Sequence, residues 1–384
     1  MRNALSVHNK RGDLIPMKKF VSLLLAVCML MGLVSFAAAE GEWRVAMITD
    51  YGDITDQSFN QTTYEAAKAF CEANGIDFNY YKPTGDTTAE RVAMVDKAIE
   101  DGFNVIIMPG YAFGETIAEE QDLYPDVKFI ALDVGEGDLG GATLSANTFS
   151  AVYQEELAGY MAGYAAVKLG YKKLGFLGGM AVPAVIRYGY GFVQGADAAA
   201  VELGIADEVS VAYVYGNQFF GDADITAYMD TWYSNGVELV FACGGGIYTS
   251  AAEAAQKVES GKVIGVDVDQ AGLIDTTYGE GMTVTSAMKG LAATVNTLLT
   301  ATVIDGTFDE TYGGQLVNLG LVSGDDPALN YVQLPETTQW ADSFTQEDYN
   351  ALVAAMFNGD VTVSNDITAM PATTIAVDDQ GTVK

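Results

Sequence analysis

Histidine and cysteine are the residue types that this sequence most nearly lacks. Its one histidine is His8, and its three cysteines, Cys28, Cys71 and Cys243, are far apart in the chain. A chain without the leader described below would contain no imidazole, which excludes histidine-based catalytic triads, general bases and zinc sites. Unclustered cysteines build neither a disulfide framework nor a metal cluster. We therefore expect no cofactor and no bound metal.

Basic residues are also scarce. Lys and Arg total 19 against 51 Asp and Glu, so the formal net charge is -32. Nucleic-acid phosphates and anionic membranes are poor partners for such a surface. Hydrophobic residues make up 49% of the 384 residues, which excludes disorder and suits about two domains at ~150 residues each. A small molecule or another protein is the favoured partner.

A secretory leader is predicted at the N-terminus. Met17 and two lysines are followed by the apolar run 20–36 and by Ala37–Ala39, the pattern of a cleaved signal peptide. The alternative is an N-terminal membrane anchor, which needs about 20 apolar residues. We expect residues 1–39 to be the leader, Met17 to be the start, and the protein to be exported to the periplasm or the outer face of the cell membrane. No later apolar run reaches 18 residues, so the mature chain is not expected to span a membrane.

Short aliphatic runs alternate with amphipathic stretches after the leader. This alternation predicts an α/β fold with parallel, doubly wound sheets. The chain is too long for one such sheet and suits two, with a break after the polar stretch 135–148. The predicted strands are 44–49, 104–108, 128–132, 173–177, 209–214, 238–243 and 262–266, and the helical patterns include 61–73, 88–101, 150–168 and 248–260.

Carboxylates or bare backbone follow four of these strands. Asp50, Asp133 and Asp267 end three strands, and Gly244–Gly246 end a fourth. Ligands of doubly wound sheets bind beyond the carboxyl ends of the strands. The alternative is that each aspartate makes a turn with its own backbone, an explanation that is less suited to all three together.

The segment after the first strand leads into a helix. Ser58 and Gln61 have the spacing of a capping box, which places Phe59 and Asn60 in the first helical turn. Phe59 could be part of the core, but its neighbours on both sides are polar. An aromatic ring presented there is suited to stacking on a flat ligand.

Two motif matches are interpreted as coincidences. Residues 135–140 match GxGxxG, but an extended segment follows instead of a helix, so we discard a dinucleotide site. Ser286 and Lys289 have the SxxK spacing of Ser-Lys acyl transferases, yet the companion SDN and KTG motifs are absent. We expect no enzymatic activity.

Seven stretches of the sequence form a recognisable pattern across nearly all of the mature chain. They are Thr49-Asp50 with DQSFNQ (56–61), FIALD (129–133), EELAGYMAGYAA (155–166), LGFLGGMAVPAVIRYGYGFVQGA (174–196), NGVELVFACGGG (235–246), VIGVDVDQ (263–270) and TSAMKG (285–290). In these stretches and in their order, the chain resembles the basic membrane protein family of ABC-transporter substrate-binding proteins, the purine nucleoside receptor-like type.

The resemblance implies a type I periplasmic-binding-protein fold, with two Rossmann-like lobes joined by hinge crossovers that close on a nucleoside. The expected lobes are 40–146 with 286–318, and 147–285 with 319–384. By the same resemblance, Phe59 and Phe219 sandwich the base, although Phe220 adjoins Phe219 and the family's F-x-D-P is FFGDA here. The other implied contacts are Asn60 and Asp133 to the base edge, and Asp50, Gly245, Asp267 and Lys289 to the ribose.

The implied function is capture of a nucleoside, with a purine base favoured, and its delivery to the permease of an ABC importer. Two alternatives stay open: a binder of a sugar or other small solute on the same fold, and a secreted hydrolase that uses carboxylates or the Ser286 and Lys289 pair. Hinge closure would join contacts from both lobes, with Asp50, Phe59, Asn60, Asp133 and Lys289 expected on or near the first lobe and Phe219, Gly245 and Asp267 on the second.

Overall fold

Two sheets organise the chain in the computed structural model, which describes residues 42–383. The predicted leader, residues 1–39 with the start at Met17, lies outside the described residues. The strands of the described part are β1 (Arg44–Ile48), β2 (Asp77–Tyr81), β3 (Val105–Pro109), β4 (Lys128–Leu132), β5 (Thr148–Tyr153), β6 (Lys173–Gly178), β7 (Ser210–Tyr215), β8 (Leu239–Cys243), β9 (Lys262–Asp267), β10 (Thr283–Lys289), β11 (Gln315–Leu319), β12 (Val332–Gln333) and β13 (Ala376–Thr382).

Helices fill most of the connections between these strands. They are α1 (Phe59–Asn74), α2 (Thr88–Glu100), α3 (Gly114–Glu120), α4 (Glu155–Lys168), α5 (Pro183–Leu203), α6 (Ala223–Ser234), α7 (Tyr248–Ala255), α8 (Ala271–Tyr278), α9 (Leu291–Leu299), α10 (Phe308–Thr311) and α11 (Gln346–Phe357). Within residues 42–383, none of the helices combines the length and apolarity that crossing a membrane requires.

The first sheet has six parallel strands in the order β11-β5-β4-β3-β1-β2, and the second has seven in the order β12-β10-β9-β8-β6-β7-β13. In the second sheet β12 pairs antiparallel with β10, and the other pairs are parallel. Central strands such as β3 and β8 are buried along their whole length, because helices cover both faces of a doubly wound sheet. The predicted α/β fold with two doubly wound lobes is confirmed.

All seven strands predicted from the sequence are present, at β1, β3, β4, β6, β7, β8 and β9. The predicted helix 150–168 is partly wrong, because residues 148–153 form β5 and the helix starts at Glu155. The strand β5 pairs with β4 and β11, and it is buried apart from the partly buried Val152. Pairing on both sides decided its conformation against a locally ambiguous pattern.

The sheet memberships also move the lobe boundaries. The predicted lobes place residues 148–153 in the second lobe, but β5 belongs to the first sheet. They place residues 286–289 in the first lobe, but these residues complete β10 in the second sheet. The chain therefore leaves the first sheet after Tyr153, seven residues beyond the predicted end of the first lobe at residue 146. Backbone pairing, which has no local sequence signal, sets these borders.

Three chain crossings connect the sheets, and hydrogen bonds tie them to one another. The Gln154 amide donates to the Leu319 carbonyl at 2.9 Å. The Tyr331 amide donates to the Gly320 carbonyl at 3.0 Å, and the Tyr331 carbonyl accepts from the Gly290 amide at 2.7 Å. The crossings lie side by side, which is the arrangement that a hinge between two lobes requires.

Helices α4 and α5 pack with their backbones almost in contact. A Cβ added at Gly159 or Gly163 of α4 would collide with the carbonyl oxygen of Tyr188 or Phe192 on α5. Gly191 of α5 is held against α4 in the same way. Helix α4 directly follows the first crossing between the sheets. Its close packing therefore holds the first half of α5, which contains Tyr188 and Phe192, in position.

Candidate functional site

A cavity of about 860 Å³ lies between the carboxyl ends of the two sheets. It has the size of a small-molecule site, which spans about 300–1,000 Å³. All eight residues predicted from the sequence line it: Asp50, Phe59, Asn60, Asp133, Phe219, Gly245, Asp267 and Lys289. Residues separated by up to 239 positions in the chain thus line one cavity. The reason is that the parallel strands of each sheet place their carboxyl ends at a common edge, and the cavity lies between these two edges.

A buried series of ion pairs lies in the wall of this cavity. The Lys289 ammonium donates to Asp133 at 2.6 Å and lies 3.0 Å from the Glu155 carboxylate. Glu155 in turn accepts from the Arg187 Nε at 2.6 Å. Lys289 is the last residue of β10, so its predicted place on the first lobe is wrong at the backbone. Its side chain nevertheless reaches Asp133 at the end of β4.

Burial and ion pairing have opposite effects on the pKa values of Asp133 and Lys289. Burial raises the pKa of Asp133 to about 6, and the Lys289 charge limits that rise. Burial alone would lower the pKa of Lys289, but the charges of Asp133 and Glu155 outweigh it and raise the pKa above its ordinary value. The two carboxylates therefore favour the protonated, cationic form of Lys289 in the cleft wall.

Three aromatic rings surround the Lys289 ammonium. The ring centres of Phe59, Tyr153 and Tyr188 lie 5.1, 5.3 and 5.5 Å from its nitrogen, within the range of cation–π attraction. Sequence reasoning used Phe59 but missed the two tyrosines. It also missed Glu155 and Arg187, although both stand in stretches that carried the family resemblance.

The loop before α1 departs from the predicted capping box. Ser58 makes no cap through its side chain, and Gln61 accepts instead from the Gln57 amide at 3.0 Å. The Asp56 carboxylate caps the helix instead, because it accepts hydrogen bonds from the amides of Ser58, Asn60 and Gln61 at 2.9–3.0 Å. This frees the Ser58 hydroxyl for a contact elsewhere.

Ser58 donates to the Asp267 carboxylate at 2.6 Å, and both residues are buried. Beside this bond, the Gln270 side chain donates to the Gln57 carbonyl at 3.0 Å. Ser58 belongs to the first sheet's connections and Asp267 ends β9 in the second sheet. The two lobes therefore touch at the cleft through hydrogen bonds as well as through Lys289 and Asp133.

Asp50 both makes a turn with its own backbone and lines the cavity, which are the two alternatives considered for the strand-end aspartates. Its Oδ1 accepts the Gly52 amide at 2.6 Å, which is the local turn expected of a strand-end aspartate. The same carboxyl lines the cavity, and burial raises its pKa to about 6. Asp133 and Asp267 instead adopt left-handed backbone, with φ of 61° and 65°. Non-glycine residues with positive φ are uncommon and concentrate at functional sites.

Phe219 lies against Tyr51 across the cleft. The ring centres are 6.2 Å apart and the planes differ by 18°. The Phe219 ring packs directly against Gly179 and Gly244, because a Cβ at either position would collide with it. Phe220 also lines the cavity, but 61% of its surface is exposed.

Three buried polar atoms at the cleft have no hydrogen-bond partner within residues 42–383. They are Asn60 Oδ1, Asp133 Oδ1 and the Tyr188 hydroxyl. Buried polar atoms in native proteins are almost always paired. Their convergence on one cavity marks it as a place where a polar ligand would complete the hydrogen bonding.

The rejected motifs behave as coincidences in the structure. Ser286 is fully buried, and its oxygen accepts the Gln270 amide at 3.2 Å. Lys289 pairs with Asp133 and Glu155. Residues 136–139 of the GxGxxG match form a short 3-10 turn and an extended segment follows, so no helix N-terminus is available there for a phosphate.

Comparison with known proteins decides the family. The model of the Bmp family, described as ABC transporter substrate-binding protein PnrA-like, matches residues 43–353. The chain belongs to this family. The resemblance drawn from the sequence is thereby confirmed, and the family is one of substrate-binding components of ABC transporters.

Curated relatives and solved structures agree with this assignment. The chain is 25% identical over 297 residues to the ABC transporter nucleoside-binding protein BmpA of Lactococcus lactis, covering 73% of this chain and 80% of that one. It is 27% identical over 284 residues to basic membrane protein A1 of Borrelia garinii, covering 73% and 78%.

Two solved ABC-transporter solute-binding proteins share the fold. The protein from Aeropyrum pernix has a TM-score of 0.63 at 21% identity, covering 85% of this chain and 88% of that one. The protein from Conexibacter woesei has a TM-score of 0.62 at 23% identity, covering 84% and 99%. A small-molecule ligand and a transporter permease are the partners that this family implies.

Proposed function

We propose that the protein is exported, captures a nucleoside between its two lobes, and delivers it to the permease of an ABC importer without converting it. A purine base is the favoured type. The observation that carries the proposal is the convergence of Phe59, Phe219 and three unpartnered polar atoms on one cavity between two hinged sheets. The Lactococcus relative, named a nucleoside-binding protein, supports the same ligand class.

The chemistry of the cavity suits both halves of a nucleoside. Aromatic rings stack on a flat base, while Asn60 and Asp133 offer oxygens that accept its N–H groups. Asp50, Asp267 and Lys289 offer charged partners to ribose hydroxyls, and Gly245 allows close backbone approach. The roles of these eight residues are part of the proposal.

Energetics require both sets of contacts. Stacking contributes roughly 1–3 kcal/mol per base, whereas micromolar affinity needs about -8 kcal/mol. Two rings therefore do not suffice, and polar contacts in a desolvated cleft must supply the remainder. The ion-pair chain through Lys289 keeps those polar groups oriented before the ligand arrives.

The test is calorimetry on residues 40–384 with inosine, adenosine, guanosine, uridine, free bases, ribose and arabinose. We expect one site that prefers purine nucleosides, and intact nucleoside on recovery after long incubation. Tighter binding of ribose or arabinose than of every nucleoside would replace the proposal with a sugar binder. Stoichiometric release of free base would replace it with a hydrolase.

A further inference from the structure

The lining of the cavity also includes a set of aliphatic side chains, which we call the apolar end. Its members come from β5, β11, the start of α5 and the C-terminal segment. They are Val152, Val182, Val185, Leu316 and Ile367, and each lines the same cavity as the eight predicted residues.

Strand order places the apolar end beside Asp133. The first sheet runs β11-β5-β4, and Asp133 directly follows β4. The Asp133 amide donates to the Ala151 carbonyl at 2.7 Å, which brings it next to Val152. Leu316 lies on the neighbouring edge strand, two residues before the partner of Val152. Val152 and Leu316 of the apolar end therefore continue the site on the side of Asp133 that faces away from Asp50.

Ile367 belongs to a C-terminal segment that hydrogen bonds attach to α5. The Ser364 amide donates to the Gln194 side chain at 2.9 Å, and the Thr374 and Ile375 amides donate to Asp197 at 2.7 and 2.9 Å. The chain then pairs as β13 with β7. Residue 367 lies beyond residues 43–353 that the family model matches, so the family match carries no expectation for it.

An aliphatic wall is a poor partner for a nucleoside alone. The polar groups of a nucleoside form no hydrogen bonds with aliphatic side chains. Such side chains instead favour binding of a ligand that transfers apolar surface out of water. At about 860 Å³ the cavity is near the upper end of the range of about 300–1,000 Å³ for small-molecule sites. Volume and lining together call for a ligand with an apolar group.

We propose that the apolar end is a subsite for an apolar substituent on the base edge of the ligand, as in a purine nucleoside alkylated on its exocyclic amine. The inference rests on the proposed nucleoside function, and specifically on Asp133 meeting the base edge. A secondary amine still has one N–H to donate to Asp133 Oδ1, while its substituent points past Asp133 towards Val152 and Leu316.

Calorimetry with three probes tests the ligand class: adenosine, N6-benzyladenosine and 5′-benzylthio-5′-deoxyadenosine. We expect the N6-substituted compound to bind at least tenfold more tightly than adenosine, and the 5′-substituted compound to show no gain. Equal or weaker binding of the N6 compound, or a gain confined to the 5′ compound, would overturn the subsite while leaving the nucleoside function intact. Absence of binding by all three would overturn the nucleoside function and the subsite with it.

Variants of the apolar end test the assignment to residues. Leu316→Ala and Ile367→Ala should each lower the ratio of N6-benzyladenosine affinity to adenosine affinity at least threefold. Val363→Ala is the matched control, because Val363 lies in the same C-terminal segment and packs on the core instead of lining the cavity. An unchanged ratio in the folded Leu316→Ala/Ile367→Ala double variant, or an equal loss in the control, would overturn the assignment.

Discussion

Lys289 of the second sheet donates to Asp133 of the first sheet across the cleft, with 2.6 Å between the ammonium and the carboxylate oxygen. Asp133 uses only Oδ2 for this bond, and its Oδ1 has no partner within residues 42–383. One carboxylate thus links the lobes, and the residue that carries it lines the cavity with one acceptor unpaired among the described residues. This double use underlies the first prediction.

Asp133→Ala should weaken nucleoside binding by roughly ten- to a hundredfold, because an unpaired donor on a buried ligand costs about 1–3 kcal/mol. Lys289 keeps Glu155 as a partner at 3.0 Å, so the variant should still fold. Ser286→Ala is the control, since Ser286 is buried away from the cavity. Calorimetry on folded protein measures both, and undiminished affinity in Asp133→Ala would remove the base-edge assignment.

Phe219→Ala should reduce nucleoside affinity by about ten- to a hundredfold through loss of base stacking worth roughly 1–3 kcal/mol. Phe220→Ala supplies a neighbour of identical chemistry that is 61% exposed, and it should change affinity much less. Titrations of the two variants side by side give the comparison. A larger loss in Phe220→Ala would reverse the assignment of the two rings.

Ser58→Ala should shift the lobes towards an open state. The change leaves a buried Asp267 oxygen unpaired only when the lobes are closed, at a cost of about 1–3 kcal/mol. Small-angle scattering over a nucleoside titration should show compaction of the wild type at a lower ligand concentration than of the variant. Identical scattering with and without ligand in the wild type would contradict closure itself.

Asp50→Asn should change how stability depends on pH. The pKa of Asp50 is raised by burial from 3.8 to about 6, so the native state holds its proton more tightly than the unfolded state. Between about pH 4 and 6 the free energy of unfolding therefore falls as pH rises, by up to about 3 kcal/mol from this group.

Urea unfolding of the wild type and Asp50→Asn at matched pH values isolates this contribution. The wild type should lose stability relative to the variant between pH 4 and 6, and the difference should be constant above that range. Asn retains an oxygen for the Gly52 amide, so the local turn survives the change. A difference that does not vary with pH would show that Asp50 is not desolvated.

Gly163→Ala should destabilise the protein by about 1–3 kcal/mol or more, because the added methyl collides with the Phe192 carbonyl and forces α4 and α5 apart. Gly272→Ala is the matched control within α8, where an added Cβ meets no described atom within 4 Å apart from its chain neighbours and the backbone of its own helix. It should stabilise by roughly 0.5–1 kcal/mol through helix propensity. Denaturant unfolding of the two variants gives the opposite signs.

The sequence by itself predicted the features that depend on local pattern. Apolar runs of four to eight residues predicted β3, β4 and β8, since buried parallel strands need continuous apolar faces. Strand-end aspartates predicted where polar groups would gather, because parallel strands end at a common edge. With the family resemblance, this sufficed to name eight of the residues that line the cavity.

The tertiary structure decided what depends on contacts between distant segments. Pairing with β4 and β11 made residues 148–153 a strand, and membership of β10 in the second sheet turned Lys289 into a link between lobes. Asp56 displaced Ser58 as the helix cap because Asp267, 209 positions away, offered the Ser58 hydroxyl a buried partner. A local sequence cannot specify such choices, because the free energy that decides between two partners comes from burial, and burial exists only once the sheets have packed.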